Sequence, residues 1–234
     1  MKPRTPWSAI IASVIAIAIL LTLGVWQVQR LQWKSALIAE INARQSAPPV
    51  TLAEALARAE RNEDIDYLNV ALDGAIKPGG PLFMVASFNG GAGWSVVTPV
   101  VSGDGILVLV DRGLIAADER DQYAAETGPI SVAGQAGWHI GSRNMFSPDN
   151  DAARNTWYWW DIPAMLGAVD APAHVKIAPF TVHATPDPTR STGPAPQPLT
   201  ANLRNNHLGY AITWFGLAAA LAVIAFLFIR RRMV

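Results

Sequence analysis

Two uncharged runs, one near each end, decide what this chain can fold into. The stretch N-N-H-L-G-Y-A-I-T-W, Asn205 to Trp214, opens on a polar turn and runs into an uncharged segment of 22 residues, Leu208 to Ile229. At about 1.5 Å per helical residue such a run matches the roughly 30 Å hydrocarbon core of a bilayer, so it predicts a membrane-spanning helix with His207 at the membrane surface. From Ala9 to Trp26 no charge intervenes either, and Ser13 and Thr22 are the only hydroxyls. The rest of the chain is bracketed by two spans.

Charge is distributed unevenly about those spans. Lys2, Arg4, Arg230, Arg231 and Arg232 lie outside them, whereas all 18 acidic residues lie between; from Arg30 to Asn206 there are 13 basic against 18 acidic residues, a net charge of −5. Basic residues close to a span stay cytoplasmic, and a translocated domain longer than about 60 residues escapes that rule. Both termini are therefore expected in the cytoplasm, with the mildly acidic central domain outside and the lipid bilayer as a partner of both spans. A cleaved signal peptide is the competing reading of the first span, but G-V-W-Q-V-Q-R follows it without a small-x-small site, so the span is expected to be retained. The acidity and the lack of a basic tract argue against nucleic acid. Cysteine is absent, which removes disulfides, thiolate ligands and a cysteine nucleophile, and leaves metal chemistry to four histidines.

Between the spans the periodicity changes twice. Trp26, Arg30, Trp33, Leu37 and Ile41 recur at helical spacing, so the first helix projects several turns past the membrane and ends before Pro48 and Pro49. Thr51-Leu-Ala-Glu54 is a capping box opening a short helix to about Arg61. From Tyr67 short apolar or alternating runs (Y-L-N-V-A-L-D-G, P-L-F-M-V-A-S-F, W-S-V-V-T-P-V-V, G-I-L-V-L-V-D-R-G, P-I-S-V-A-G-Q-A) are divided by turn formers at Asp73-Gly74, Asn89-Gly90-Gly91 and Ser102-Gly103-Asp104-Gly105. Such short turns join antiparallel neighbours and predict a compact antiparallel sheet curled towards a small barrel; the helical patterns that a parallel sheet needs between strands are missing. Residues 141–160 are irregular, Asp161 caps a short helix to about Ala168, a last strand runs from about Val175 to His183, and the loop with Pro186, Pro188, Pro194, Pro196 and Pro198 is extended and exposed. The fold class is thus an α+β membrane protein, two transmembrane helices in a hairpin topology flanking an extracytoplasmic, mainly antiparallel β domain with a few short helices.

Three constellations carry chemistry. On the second helix His207, Tyr210, Ala211 and Trp214 share one face, and on the first Trp26, Arg30 and Trp33 do the same. If the helices are neighbours, this set suits a haem: the histidine as axial ligand to the iron, the arginine against propionates, the aromatic rings on the macrocycle. An interfacial aromatic belt with His207 as a capping group accounts for the same residues. The second is F-S-P-D-N-D followed by W-Y-W-W-D, where Asp149, Asp151 and Asp161 lack calcium-loop spacing and read as turn and cap residues. Side chains alternate along a strand, so Trp157, Tyr158, Trp159 and Trp160 cannot all face one core, and some are expected to reach a partner. The third is Asp111-Arg112-Gly113 at a strand end, with Arg112 pairing a carboxylate. His139, His174 and His183 are scattered, and no serine has a G-x-S-x-G or S-x-x-K context, so no nucleophile and base are nominated and the chain reads as a non-enzyme.

The motifs G-V-W-Q-V-Q-R-L-Q-W-K, G-W-S-V-V-T-P-V, V-L-V-D-R-G, F-S-P-D-N-D, W-Y-W-W-D and N-N-H-L-G-Y-A-I-T-W, in this order between two spans, resemble over nearly the whole length the Surfeit locus protein one family of cytochrome oxidase assembly factors. It departs in having Leu114 where the family usually has tryptophan after the R-G pair, and in its proline-rich linker. The resemblance implies a chaperone for maturation of the haem a-containing subunit of the terminal oxidase, with haem a bound transiently through His207; helical spacing, not the resemblance, adds Tyr210, Trp214, Arg30 and Trp26 around it. The implied partners are cytochrome c oxidase subunit I, other oxidase assembly factors and a haem a synthesis enzyme. A mitochondrial member should open with an Arg- and Ser-rich transit segment, so a bacterial inner-membrane member is the expectation. On this reading residues 1–6 form a cytoplasmic N-terminus; 7–29 the first transmembrane helix, continuing as an amphipathic helix to about 45; 46–204 the extracytoplasmic β-rich domain, with the Pro-rich linker at 186–198; 205–229 the second transmembrane helix; and 230–234 a cytoplasmic basic tail. The alternative is a scaffold that binds an oxidase intermediate without haem through Trp157, Tyr158, Trp159 and Trp160; an extracytoplasmic membrane-anchored enzyme is the least favoured.

Overall fold

The structure, a computed structural model, describes residues 7–139, 143–169, 175–188, 192–200 and 203–233. It divides into a helical unit, Met1–Ile41 with Ala201–Val234, and a β unit, Asn42–Thr200. Lys2 and Arg4, the start of the irregular segment at Gly141, and His174 lie outside the described residues.

Helix α1 runs unbroken over Trp7–Ser46 and α4 over His207–Met233. Forty residues at 1.5 Å each extend about 60 Å, roughly twice a hydrocarbon core, so α1 continues well past one leaflet. Both are long and apolar enough to cross a membrane, and only 6% of each apolar window is buried. A helix that was apolar because it sat in a soluble core would bury that surface; here Ile11, Ile15, Ile19, Ile212, Ile224 and Phe226 stay exposed, as lipid-facing side chains do.

In the β unit, β1 (Val50–Thr51) precedes the capped helix α2 (Leu52–Glu60), and β2 (Asn69–Ile76), β3 (Leu82–Phe88), β4 (Gly91–Ser102), β5 (Ile106–Ala116), β6 (Gly128–Gly137), β7 (Thr156–Trp157), α3 (Ile162–Gly167) and β8 (Lys176–Ala184) follow. Sheet neighbours run β1-β2-β6-β8-β5-β4-β3-β7, and β2 also pairs with β4 from Gly74↔Ser102 to Ile76↔Val100. That last pairing closes β2, β6, β8, β5 and β4 into a small barrel from which β3 continues. The long pairings are antiparallel except β5 with β8, and the parallel partners β1 and β7 are two residues each. The β5–β8 pair is the departure from the antiparallel expectation: no single helix makes the crossover, because β6, β7 and α3 all lie between.

Two cores explain the long apolar run in β5. Ile106, Val108 and Val110 point into the barrel with Val70, Val100, Phe180 and Val182, while Leu107 and Leu109 pack on the other face with Met84, Val97, Trp157 and Met165. A strand buried on both faces reads as continuous rather than alternating. The proline-rich loop is not wholly exposed as expected. Pro194 is buried, and Leu114 and Ala195 exchange hydrogen bonds of 2.8 Å in both directions. Gly113, at φ +117°, permits this approach, since a Cβ there would run into the Ala195 carbonyl.

Candidate functional site

In the helical unit α1 and α4 pack antiparallel through small and polar residues. A Cβ on Gly24 would stand 2.7 Å from the Phe215 ring, so a larger residue there would have to displace that ring. Gln27, Ala211 and Ala218 are buried at the same seam. Asn205 donates to Ser35 Oγ at 3.1 Å, and Lys34 reaches the Arg204 carbonyl. Small residues and interhelical hydrogen bonds are the means by which membrane helices associate, because lipid removes the hydrophobic drive.

His207, the first residue of α4, faces this seam, with its Nδ1 2.7 Å from Gln27 Oε1. An amide oxygen can only accept, so Nδ1 carries a proton, and in the neutral ring it is Nε2 that has the lone pair. Among the described residues Nε2 makes no hydrogen bond. Trp214 lies on the same side of α4 as His207 and Ala211, its Nε1 buried and unpartnered. The other candidates sit elsewhere on the helices. Tyr210 is 57% and Trp26 52% exposed, and the Arg30 guanidinium stacks 4.0 Å over the Trp33 ring. At about 100° per residue Arg30 stands about 60° round α1 from Gln27, a helical neighbour of it, whereas Trp26 and Trp33 lie about 100–120° round from it. The partner that meets His207 is thus Gln27, a residue that sequence periodicity had not singled out.

The β unit holds the tryptophan cluster. Trp157 is 0% exposed, its Nε1 donating to Asn155 Oδ1 at 3.0 Å, so it is a core residue and no part of a contact surface. The reason is alternation: β7 pairs with β3 and sends Trp157 inward and Tyr158 outward. Trp159 and Trp160 join Trp138, Ile162, Pro163 and Ile177 around a cavity of about 470 Å3. Asp161 caps α3 through the Ala164 amide and Asp151 receives the Arg154 amide, the cap and turn roles expected of them, whereas Asp149 forms an ion pair with Arg143.

Two histidines find acid partners that their separation in sequence hides. His183 Nδ1 lies 3.2 Å from Asp111 Oδ2, with Ser95 and the Gly113 amide on the other carboxylate oxygen. His183 Nε2 is 3.1 Å from Thr181 Oγ1, beside the tryptophan cavity. A histidine–acid pair next to a cavity is what an enzyme would use. Here, however, the Thr181 hydroxyl gives its proton to the Gly137 carbonyl at 3.0 Å and is 1% exposed, so the array works as a tie across β4, β5, β6 and β8. Arg112 pairs with Glu126 at 3.2 Å, as its position after Asp111 suggested. The second histidine, His139, joins Asp64 and Asp66 in a group with metal-like spacing. Asp66 is engaged by the Trp138 and His139 amides and by His139 Nδ1, and Asp64 by Arg44 at 2.8 Å. Burial pushes the Asp64 carboxyl upward, but the Arg44 guanidinium and the Asp66 amide outweigh it and hold Asp64 below the ordinary carboxylate range.

Comparison with known proteins places the chain in a family. The model of the SURF1 family matches residues 14–219. Surfeit locus protein 1 of Homo sapiens is 31% identical over 225 residues, covering 87% of this chain and 72% of its own length. The Mus musculus protein of the same name is 31% identical over 232 residues (89% and 72%), and that of Xenopus tropicalis 29% over 219 residues (85% and 68%). The chain belongs to the SURF1 family, whose members are known as cytochrome c oxidase assembly factors.

Proposed function

We propose that this chain assists assembly of cytochrome c oxidase by holding haem a transiently at the outer face of a bacterial inner membrane and handing it towards oxidase subunit I. Other assembly factors and the haem a synthesis enzyme act on either side of that step, both termini are cytoplasmic and the β unit lies outside. The observation that carries this reading is His207. It stands at the start of a membrane-length helix, with one ring nitrogen held by Gln27 and the other without a hydrogen-bond partner among the described residues. That donor set fits haem iron, which takes neutral imidazole as an axial ligand.

Haem a as cargo supplies an iron with an axial position for a nitrogen donor and anionic propionates. Each residue of the helical unit then has a task suited to its chemistry. His207 Nε2 ligates; Arg30 offers a guanidinium fork to a propionate; Trp26, Tyr210 and Trp214 give aromatic surface to an apolar ring system. Tyr210 and Trp26 are exposed, which suits contact with a guest. The test is the visible spectrum of detergent-purified protein made together with a haem a synthesis pathway. A Soret band that disappears in His207→Ala at equal expression supports the reading, and a band unchanged in that variant sinks it.

A scaffold role has its own supporting observation in the β unit. Met145 and Phe146 are each 89% exposed, in the segment whose Arg143 stacks over Trp159. If purified protein stays colourless yet captures the oxidase subunit, and Phe146→Ser abolishes capture, the scaffold reading replaces the carrier.

A further inference from the structure

We propose that Gln27 is the positioning residue of the His207 site, and that its neutral amide keeps the ligand able to let go; this rests on His207 taking the haem iron. Gln27 is 8% exposed, and its oxygen is 2.7 Å from His207 Nδ1. Its place is set by packing: Gly24, one turn away on the same face of α1, admits the Phe215 ring of α4, and Ala211 closes the seam one turn beyond His207. The amide oxygen selects the tautomer with the proton on Nδ1, so Nε2 is the nitrogen able to take a metal. Without Gln27 the ring is free to carry its proton on either nitrogen and to rotate.

The identity of the acceptor sets the strength of the ligand. Outer partners of a metal-bound histidine orient it and raise its basicity, and their loss commonly changes metal affinity 10- to 100-fold. A carboxylate at position 27 would draw the Nδ1 proton towards itself, give the ring imidazolate character and favour the ferric iron. An amide makes the same hydrogen bond without that charge. For a protein that must receive its cargo and surrender it, orientation without added grip is the useful combination.

Two measurements test this on the full-length protein in detergent. The first needs no haem: nitrogen NMR of 15N-histidine-labelled protein, with His207 assigned by its absence in His207→Ala. Wild type is expected to show the Nδ1-protonated ring, and Gln27→Leu a shift towards the Nε2-protonated one; an Nε2-protonated ring in wild type, or no change in the variant, overturns the proposal. The second compares the reduction midpoint of bound haem a, and its rate of transfer to apomyoglobin, in wild type and Gln27→Glu. A tenfold gain in ferric over ferrous affinity corresponds to a midpoint about 59 mV lower, and transfer should slow about tenfold or more. Unchanged midpoint and transfer overturn it. If the spectrum proves independent of His207, the carrier reading fails and this inference falls with it. If the spectrum needs His207 but both Gln27 variants behave as wild type, this inference alone is wrong.

Discussion

Replacing His183 with alanine should destabilise the β unit strongly although the residue touches no surface. The imidazole joins Asp111 on β5 to Thr181 on β8, with Trp160 edge-on against it at 5.5 Å. Its side chain is 7% exposed and that of Asp111 13%, so water cannot replace it. Losing one hydrogen bond to a buried carboxylate costs about 1.5–3 kcal/mol, and the vacated ring volume beneath Trp160 adds about 1 kcal/mol. The sum, about 2.5–4 kcal/mol, lowers the melting point of a domain of this size by about 5–16 °C at roughly 2–4 °C per kcal/mol. Tryptophan fluorescence is the right probe, since Trp157 and Trp160 report on this region directly. A double-mutant cycle with Asp111→Asn isolates the pair, and a coupling of about 1–3 kcal/mol is expected for residues in contact. A loss below about 1 kcal/mol, or effects that add within about 0.5 kcal/mol, would refute the reasoning that Asp111 and His183 tie the barrel strands together.

Gly113→Ala should detach the proline-rich strap: the residue sits at φ +117°, and the new Cβ meets the Ala195 carbonyl, so strain and the loss of two strap hydrogen bonds together cost about 2–4 kcal/mol. Hydrogen exchange at the Leu114 and Ala195 amides should accelerate at least about tenfold, and unchanged exchange contradicts the account. The Arg44–Asp64 pair should matter only above acid pH. Its folded carboxyl titrates below the ordinary value, so its stabilisation is present above the unfolded carboxylate range and is lost as pH falls through the lower folded value. Because Asp64 is largely exposed, the effect stays below about 1 kcal/mol; Asp64→Asn, which leaves the Arg44 hydrogen bond to the Asp66 carbonyl in place, should therefore be slightly less stable than wild type near neutrality and equal to it in strong acid, as read by urea midpoints. A difference that persists in acid refutes the pairing.

Much of the β unit was legible because its signals are local. Turn formers at Asn89-Gly90 and Ser102–Gly105 connect β3 to β4 and β4 to β5, and a capping threonine opens α2 through the Glu54 amide. What stayed hidden depends on distant partners. Nothing in Ile106–Ala116 announces that β8, some 70 residues on, will lie parallel beside it, with Asp111 opposite His183. The phase of W-Y-W-W is of the same kind. Alternation requires that Trp157 and Tyr158 part, but only the packing of β7 on β3, against the core containing Met84 and Met165, decides that Trp157 is the one that goes in.

The helical site shows the same limit one level up, and also how it yields. Helical spacing groups Trp26, Arg30 and Trp33 on one face, and the stacking of Arg30 on Trp33 agrees with it. Spacing alone does not say which residues of a face meet the other helix. In a bilayer, aromatic rings are well placed against lipid headgroups, whereas helices approach each other where side chains are small and polar groups can pair. By that criterion Gly24 and Gln27, spaced i and i+3 in an otherwise apolar run, mark the seam on α1, as Ala211 and Ala218 do on α4 one turn and three turns beyond His207. An imidazole at the head of one small-residue stripe and an amide beside a glycine on the other form the pair that the geometry joins at 2.7 Å. What sets His207 Nδ1 against Gln27 is thus the small-residue packing of the two helices, a property of the pair that neither helix carries alone.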